Sequence, residues 1–212
     1  VFRKRLAEIC HTLSRRREKF LWSCFARVDQ VDRDTFELMF AGGCRSVSFG
    51  IESGNQRMLD AMNKGTTLAE AEKAVREARR AGLFTTGYFI IGYPGETAAT
   101  VEETVAFARR LPLDNVLFSH ATPYPGTRFM ESMPETGRLD WSRFTQWQVT
   151  YVPDGMTEAE LAEYSRRAMR SFYMRPSIWA RHMGRALSEG LVIPYAVEAC
   201  GLLAHFLRER TH

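Results

Sequence analysis

Cysteine is scarce in this chain and poorly spaced for metal chemistry: its 212 residues hold four, Cys10, Cys24, Cys44 and Cys200, at gaps of 14, 20 and 156 positions. Those gaps match neither a zinc-ligand pattern nor the closely spaced thiolates of an iron-sulfur loop, so no metal site is expected within it. Histidine offers no substitute, since His11, His120, His182, His205 and His212 show no ligand spacing. With no signal peptide read in these residues and no dense cysteine framework, a reducing, cytoplasmic compartment is the expectation. Low-complexity sequence is missing as well, and 45% hydrophobic with 25% charged residues excludes disorder as the organising theme. No recognisable nucleic-acid module accompanies the net charge of +4. The basic run Arg3, Lys4, Arg5, Arg15, Arg16, Arg17 and Lys19 is therefore read as a solvated helix face, and nucleic acid is not an expected partner. One long apolar stretch occurs, residues 190–207, but Pro194 and Glu198 fall inside a window that barely reaches membrane-spanning length. A packed or oligomer-forming terminal helix is expected there in preference to a peripheral membrane contact. The first residue is Val1, and the chain is expected to start inside something longer.

What is present is a rhythm. Leu6, Ile9, Cys10 and Leu13 form one apolar stripe on a helix spanning roughly 1–19. A short apolar run at 20–26 has strand length. Asp32 or Asp34 then caps a helix bearing Phe36, Met39 and Phe40 that stops at Gly42-Gly43. Residues 46–51 read as a strand, and Thr67 with Glu70 forms a capping box ahead of Leu68, Ala71, Val75 and Ala78. Another strand follows at 84–91, then a helix opened by Thr97 or Thr100 and ended by Pro112, then a strand at 115–121. Strands alternating with helices at intervals of ~30 residues imply parallel crossover units, hence an α/β fold. After Tyr124-Pro125-Gly126-Thr127 the alternation ceases. Residues 129–156 look irregular, and 157–212 are helical, with a capping box at Thr157 and Glu160 and a break at Pro176.

Gly87 to Thr97 carries the most specific signal: Gly-Tyr-Phe-Ile-Ile-Gly-Tyr-Pro-Gly-Glu-Thr, an apolar strand entering a Pro-Gly turn. A strand that ends in glycine is expected to leave its last backbone N–H and C=O groups open to a flat ligand. In a parallel sheet ligands sit beyond the carboxyl ends of the strands, where Glu52-Ser53, Gly92 to Gly95 and Thr122 to Gly126 all fall.

Taken in order, Arg27-Val-Asp29, Gly43 to Gly54, Lys64-Gly65-Thr66, Gly82, Gly87 to Thr97, Pro123 to Thr127 and Phe172-Tyr-Met-Arg-Pro176 resemble radical S-adenosylmethionine enzymes of the cobalamin-binding branch. The resemblance covers about residues 1–185. It implies a partial (βα)6 TIM-like barrel with about four parallel strands in residues 1–128, followed by a helical C-terminal extension. The family's first strand and its CxxxCxxC loop, which binds a 4Fe-4S cluster, have no counterpart here, nor does the cobalamin domain that precedes the barrel.

The cofactor implied for this chain is S-adenosylmethionine, with the 4Fe-4S cluster and cobalamin belonging to the intact protein only. By the family pattern Glu52 or Ser53 meets the ribose hydroxyls, a carboxylate being able to accept from two of them. The alternative is that both cap the turn before Gly54. Ile91, Gly92 and Tyr93 correspond to backbone and apolar contacts with adenine, and Pro94 and Gly95 complete that turn. Arg27 matches a residue for the methionyl carboxylate, with a salt bridge to Asp29 or Asp32 as the alternative. Glu96 is expected to act structurally at the first turn of a helix, where negative charge contributes ~0.3–1 kcal/mol. His120 is expected to be a hydrogen-bonded core or rim residue. No catalytic residue is assigned.

The intact enzyme would form a 5′-deoxyadenosyl radical for methylation or rearrangement of a small-molecule substrate, with this chain inactive alone. The missing N-terminal barrel half and cobalamin domain are the expected partners, on the same or a separate polypeptide. A non-catalytic remnant that binds nucleoside or protein is the alternative.

Overall fold

A computed structural model describes residues 3–18, 20–133 and 140–189. The apolar segment 190–207 lies outside the described residues. Four strands, β1 (Trp22–Ala26), β2 (Cys44–Glu52), β3 (Phe84–Ile91) and β4 (Asn115–His120), form one parallel sheet in the order β1-β2-β3-β4. The helices are α1 (Arg3–Arg15), α2 (Arg33–Ala41), α3 (Gln56–Ala61), α4 (Leu68–Arg80), α5 (Ala98–Arg110), α6 (Arg128–Glu131), α7 (Glu158–Tyr173) and α8 (Pro176–Glu189). This is the expected α/β arrangement with a helical C-terminal region. The short helices α3 and α6 were not anticipated, being too brief for periodicity to reveal.

Local chemistry sets the helix starts. Asp32, not Asp34, caps α2 by accepting from the Thr35 N–H, while Thr67, Thr97 and Thr157 each close a capping box with the residue three positions on. Each such cap stabilises its helix by about 1 kcal/mol. Between them, alternation decides which way the strands face. Val47, Phe49 and Ile51 of β2, with Phe89 and Ile91 of β3, are buried against the helices. Phe36 meets Phe49 edge-on at 6.0 Å, and Phe89 stacks on Phe118 at 5.1 Å. Rings of this size dominate core energetics, so the helix-facing layer anchors the sheet.

The other face mixes small polar residues with a few large side chains: Ser48 pairs with Thr86 and Gly50 with Tyr88 along the ladder. Phe25 lies across it with its ring 5.6 Å from that of Tyr88, and is 75% exposed. The two sheet edges also differ. On β4 the Tyr173 hydroxyl of α7 donates to Val116 O at 2.9 Å and accepts from Val116 N at 3.2 Å, and His120 N donates to Gln146 O at 2.9 Å. That edge is closed by later parts of the chain. On β1, ladder pairing among the described residues runs to β2 alone. An unpaired strand edge is a template for another strand.

Candidate cofactor-binding site

The carboxyl edge of β2 holds the first part of the site. The ladder slips between Gly50 and Glu52, and Glu52 adopts a left-handed backbone with φ 68°. For a residue with a Cβ that conformation costs about 1–3 kcal/mol, and such strain collects at functional sites. Its carboxylate pairs with Lys64 at 2.6 Å, both side chains being mostly buried on the open face of the sheet. Gly50 makes room for the pair, since a Cβ there would stand 2.5 Å from Glu52 Oε1 and 3.1 Å from Lys64 Nζ. Lys64 belongs to the Lys-Gly-Thr motif, yet its pairing across a loop leaves no local signal in sequence.

Arg27 joins the same corner. Its guanidinium meets Asp29 in a fork, Nε to Oδ1 at 3.0 Å and Nη2 to Oδ2 at 3.1 Å, and Nη2 also donates to Lys64 O at 3.1 Å. The hydrogen bonds from Arg27 hold the Asp29 carboxyl below its ordinary range. The salt-bridge alternative is what the structure contains. These contacts of Arg27 engage Nε and Nη2.

Ser53 faces the other way. It is fully buried, its hydroxyl lies 3.0 Å from Thr104 Oγ1 and accepts from Asn55 N at 3.1 Å, and Thr104 Oγ1 accepts from Gly54 N at 3.0 Å. This network ties the β2 turn to α5. Of the two residues expected to meet ribose, only Glu52 stands at the open edge.

The turn after β3 differs from expectation in one respect. Ile91 O accepts from Ala121 N at 2.8 Å, and Gly92 N donates to Glu96 Oε2 at 2.5 Å, so both groups expected to be open already have a partner. The Ile91 side chain is buried against the helices. Gly92 has φ +88°, and a Cβ there would meet Leu161 at an ordinary 3.4 Å, so it is the backbone conformation that calls for glycine. Tyr93 is half-buried with its ring 5.2 Å from Phe129, which in turn meets Tyr151 edge-on at 5.1 Å. Pro94 is half-buried and Gly95 exposed, so the Pro-Gly step borders solvent at this edge.

Glu96 is structural, though by a route other than the helix dipole. It is 1% exposed, and burial pushes its carboxyl up to about 7, against the lowering effect of the Gly92 and Tyr93 amides. His120 is a core residue as expected: its Nε2 lies 3.4 Å from Ser165 Oγ, and burial lowers its proton affinity while Glu158 opposes the change.

The residues present fit a nucleoside better than a cluster. Glu52 offers a carboxylate at a carboxyl edge between a small-residue floor and the Gly92 turn. The described cysteines do not form an iron site. Cys10 and Cys44 are buried and Cys24 packs against the same helix-side core, and no group of three or more His, Cys, Asp or Glu among the described residues is placed to hold a metal ion. Among the described residues no helix is long and apolar enough to cross a membrane.

The profile of the radical SAM superfamily matches residues 2–108. An uncharacterized methyltransferase from Pyrococcus horikoshii is 35% identical over 179 residues, covering 83% of this chain and 39% of the relative. An anaerobic magnesium-protoporphyrin IX monomethyl ester cyclase from Cereibacter sphaeroides is 34% identical over 182 residues, covering 84% of this chain and 30% of the relative. The chain thus spans well under half the length of these curated relatives. Among solved structures, the radical S-adenosylmethionine methyltransferase TsrM from Kitasatospora setae, with cobalamin and a [4Fe-4S] cluster bound, superposes at TM-score 0.50 with 25% identity, over 56% of this chain and 23% of that one. Coproporphyrinogen III oxidase from Escherichia coli shares the fold at TM-score 0.53 and 16% identity, over 59% of this chain and 30% of that one.

Proposed function

This chain belongs to the radical SAM superfamily, and from that premise we propose that it is the cofactor-cradling C-terminal part of a cobalamin-dependent methyltransferase or cyclase. The observation that carries the reading is the asymmetry of the sheet. Its β4 edge is closed by Tyr173 and the Gln146 segment, while its β1 edge and the Phe25–Tyr88 face stand ready for further strands. Those strands would bring the cysteines that this chain lacks in suitable positions. Whether they lie on the same polypeptide or a partner, they would pair along β1 and cover Phe25.

S-adenosylmethionine bound at a reduced 4Fe-4S cluster supplies a 5′-deoxyadenosyl radical or a methyl group. The chain's own residues would do the positioning. Glu52, held by Lys64, would accept from the ribose hydroxyls with charge assistance. The Gly92–Gly95 turn, kept in shape by Glu96, would give the adenine a flat border with Tyr93 beside it. Phe25, Tyr88 and Ile90 would line the space for a small organic substrate, whose identity depends on loops beyond the shared fold.

Anaerobic reconstitution with iron and sulfide tests the reading, using this chain and a version extended upstream. The extended protein is expected to bind a stoichiometric cluster and cleave S-adenosylmethionine, and the 212-residue chain to do neither. A stoichiometric cluster on the 212-residue chain would refute it.

A further inference from the structure

The turn that carries Glu52 is held from a distance. Ser53 N donates to Ile51 O at 3.0 Å across Glu52, whose φ is 68°, so Glu52 is the central residue of a γ-turn of the positive-φ kind. That form is rare and strained, and a residue with a Cβ stays in it only where its surroundings hold it. The Lys64 ion pair holds the Glu52 side chain. The backbone that follows Glu52 is held by α5.

Thr104 of α5 is fully buried, and three contacts converge on its hydroxyl. It accepts from Gly54 N at 3.0 Å, donates to Thr100 O at 3.0 Å and lies 3.0 Å from Ser53 Oγ. A hydroxyl has one proton and two acceptor positions. The Thr100 carbonyl can only accept, so Thr104 gives its proton there and takes the proton of Ser53, whose oxygen in turn accepts from Asn55 N at 3.1 Å. The bond to Thr100 is the ordinary local one of a helical threonine. The two bonds to the β2 turn reach 50 and 51 positions along the chain and tie both residues after Glu52 to α5. The turn has no slack beside them, since a Cβ on Gly54 would stand 2.7 Å from Thr104 Cα and 2.8 Å from Glu103 O. Asn55 adds a further tie, from Nδ2 to Glu103 Oε2 at 2.6 Å.

We propose that Thr104 is a positioning residue for the cofactor: through Ser53 and Gly54 it holds Glu52 in its strained turn, with the carboxylate directed at the ribose hydroxyls. The inference rests on the cofactor reading above. The same helix begins at the Gly92 turn, where Glu96 accepts from Gly92 N just ahead of the Thr97 cap. One rigid element therefore carries both borders of the nucleoside, the Gly92–Gly95 turn at its start and the Glu52 turn about two helical turns, or ~10 Å, further along. A carboxylate that accepts from two neighbouring hydroxyls needs its direction set as well as its charge. Thr104 is buried on the helix side of the sheet and acts only through Glu52.

Competition with S-adenosylmethionine in the upstream-extended protein, read by equilibrium dialysis, tests it. The probes are 5′-methylthioadenosine and its 2′,3′-dideoxy analogue, which differ only in the hydroxyls that Glu52 would accept from. The unaltered protein is expected to prefer the hydroxyl-bearing probe by about tenfold or more. Thr104→Val, which removes the hydroxyl at similar size, is expected to lower that preference to about the level of Glu52→Gln and to leave affinity for the dideoxy probe unchanged. The double variant should fall no lower than Glu52→Gln alone, because the two residues act in series. Thr104→Ser should restore the preference. Where Thr104→Val does not fold, Ser53→Ala breaks the same link and is expected to give the same collapse. Equal weakening of both probes would make Thr104 merely structural and overturn the proposal. A preference that Glu52→Gln abolishes while Thr104→Val and Ser53→Ala leave it intact would overturn the proposal and spare the cofactor reading. A preference unchanged by Glu52→Gln would overturn the cofactor reading of Glu52, and the proposal with it.

Discussion

Replacing Glu96 by glutamine makes the burial of its carboxyl measurable. In the folded chain the group is pushed from its ordinary value near 4.5 up to about 7, with burial as the leading cause. In the unfolded chain it returns to the ordinary value, so between these two pH values the folded state holds a proton that the unfolded state has released. The stability associated with the neutral acid is therefore complete below pH 4.5 and is lost as pH rises through about 7. At 1.36 kcal/mol for each tenfold change in proton affinity, the full loss is about 3 kcal/mol, of which about 2–3 kcal/mol falls between pH 5 and pH 8.

Glutamine keeps an oxygen for the Gly92 N–H and never ionises. Its amide would occupy the place of Glu96 Oε1, which is buried without a hydrogen-bond partner, as the protonated acid does at low pH. The two proteins should thus be similar in stability near pH 5, and the glutamine variant more stable by about 2–3 kcal/mol at pH 8. Urea denaturation of both proteins at pH 5, 6, 7 and 8 supplies the assay. Taking the difference between them is essential, because His120 acts in the opposite sense. Its lowered proton affinity contributes stability above its ordinary value near 6.5 that is lost as pH falls. That term is common to both proteins and cancels. A stability difference that stays flat from pH 5 to pH 8 would refute the burial argument.

Three further substitutions follow from named contacts. Gly50→Ala places a Cβ 2.5 Å from Glu52 Oε1, the far end of a flexible chain, so stability should fall by less than about 1 kcal/mol while S-adenosylmethionine affinity of the upstream-extended protein, read by equilibrium dialysis, drops about tenfold. Gly54→Ala is the contrasting case, with its Cβ 2.7 Å from Thr104 Cα and 2.8 Å from Glu103 O, neither of which moves cheaply; a loss of about 3 kcal/mol or more is expected in urea denaturation. Tyr173→Phe removes the hydroxyl that serves both Val116 N and Val116 O and should cost about 1–3 kcal/mol, with faster amide exchange at Val116 by NMR.

Legibility in the sequence follows the distance over which each interaction acts. The capping boxes at Thr67 and Thr157 join residues three positions apart, and the side-chain types alone announce them, whereas at α5 the sequence left Thr97 and Thr100 as alternatives that the structure joins in one box. Strand placement was legible for the same reason, because alternation and the glycine stops are local. The left-handed backbone of Glu52 was not, since a carboxylate advertises no positive φ as glycine would. The contact of Ser53 with Thr104 was not legible either, because the two lie 51 positions apart. Glu96 is the subtler case: its position at a helix entrance suggested a structural charge–dipole role, whereas packing buried it and made its protonation the larger effect.

The two sheet edges carry this reasoning to its end. Nothing near Val116 in sequence indicates that β4 is the last strand; the cap comes from Tyr173, 57 positions on. Without the cap, β4 and β1 would be equivalent candidates for extension, and the chain could be placed at either end of a larger sheet. With it, growth past β4 would require displacing two hydrogen bonds from the half-buried Tyr173 hydroxyl, while growth past β1 displaces none among the described contacts. The direction is also consistent with α1, which precedes β1 and packs against α2 as the helix of an earlier strand-helix unit would. On the function proposed above, strands supplied from outside this chain would therefore add along β1, on the same open face as Phe25, Tyr88 and the Glu52–Lys64 pair.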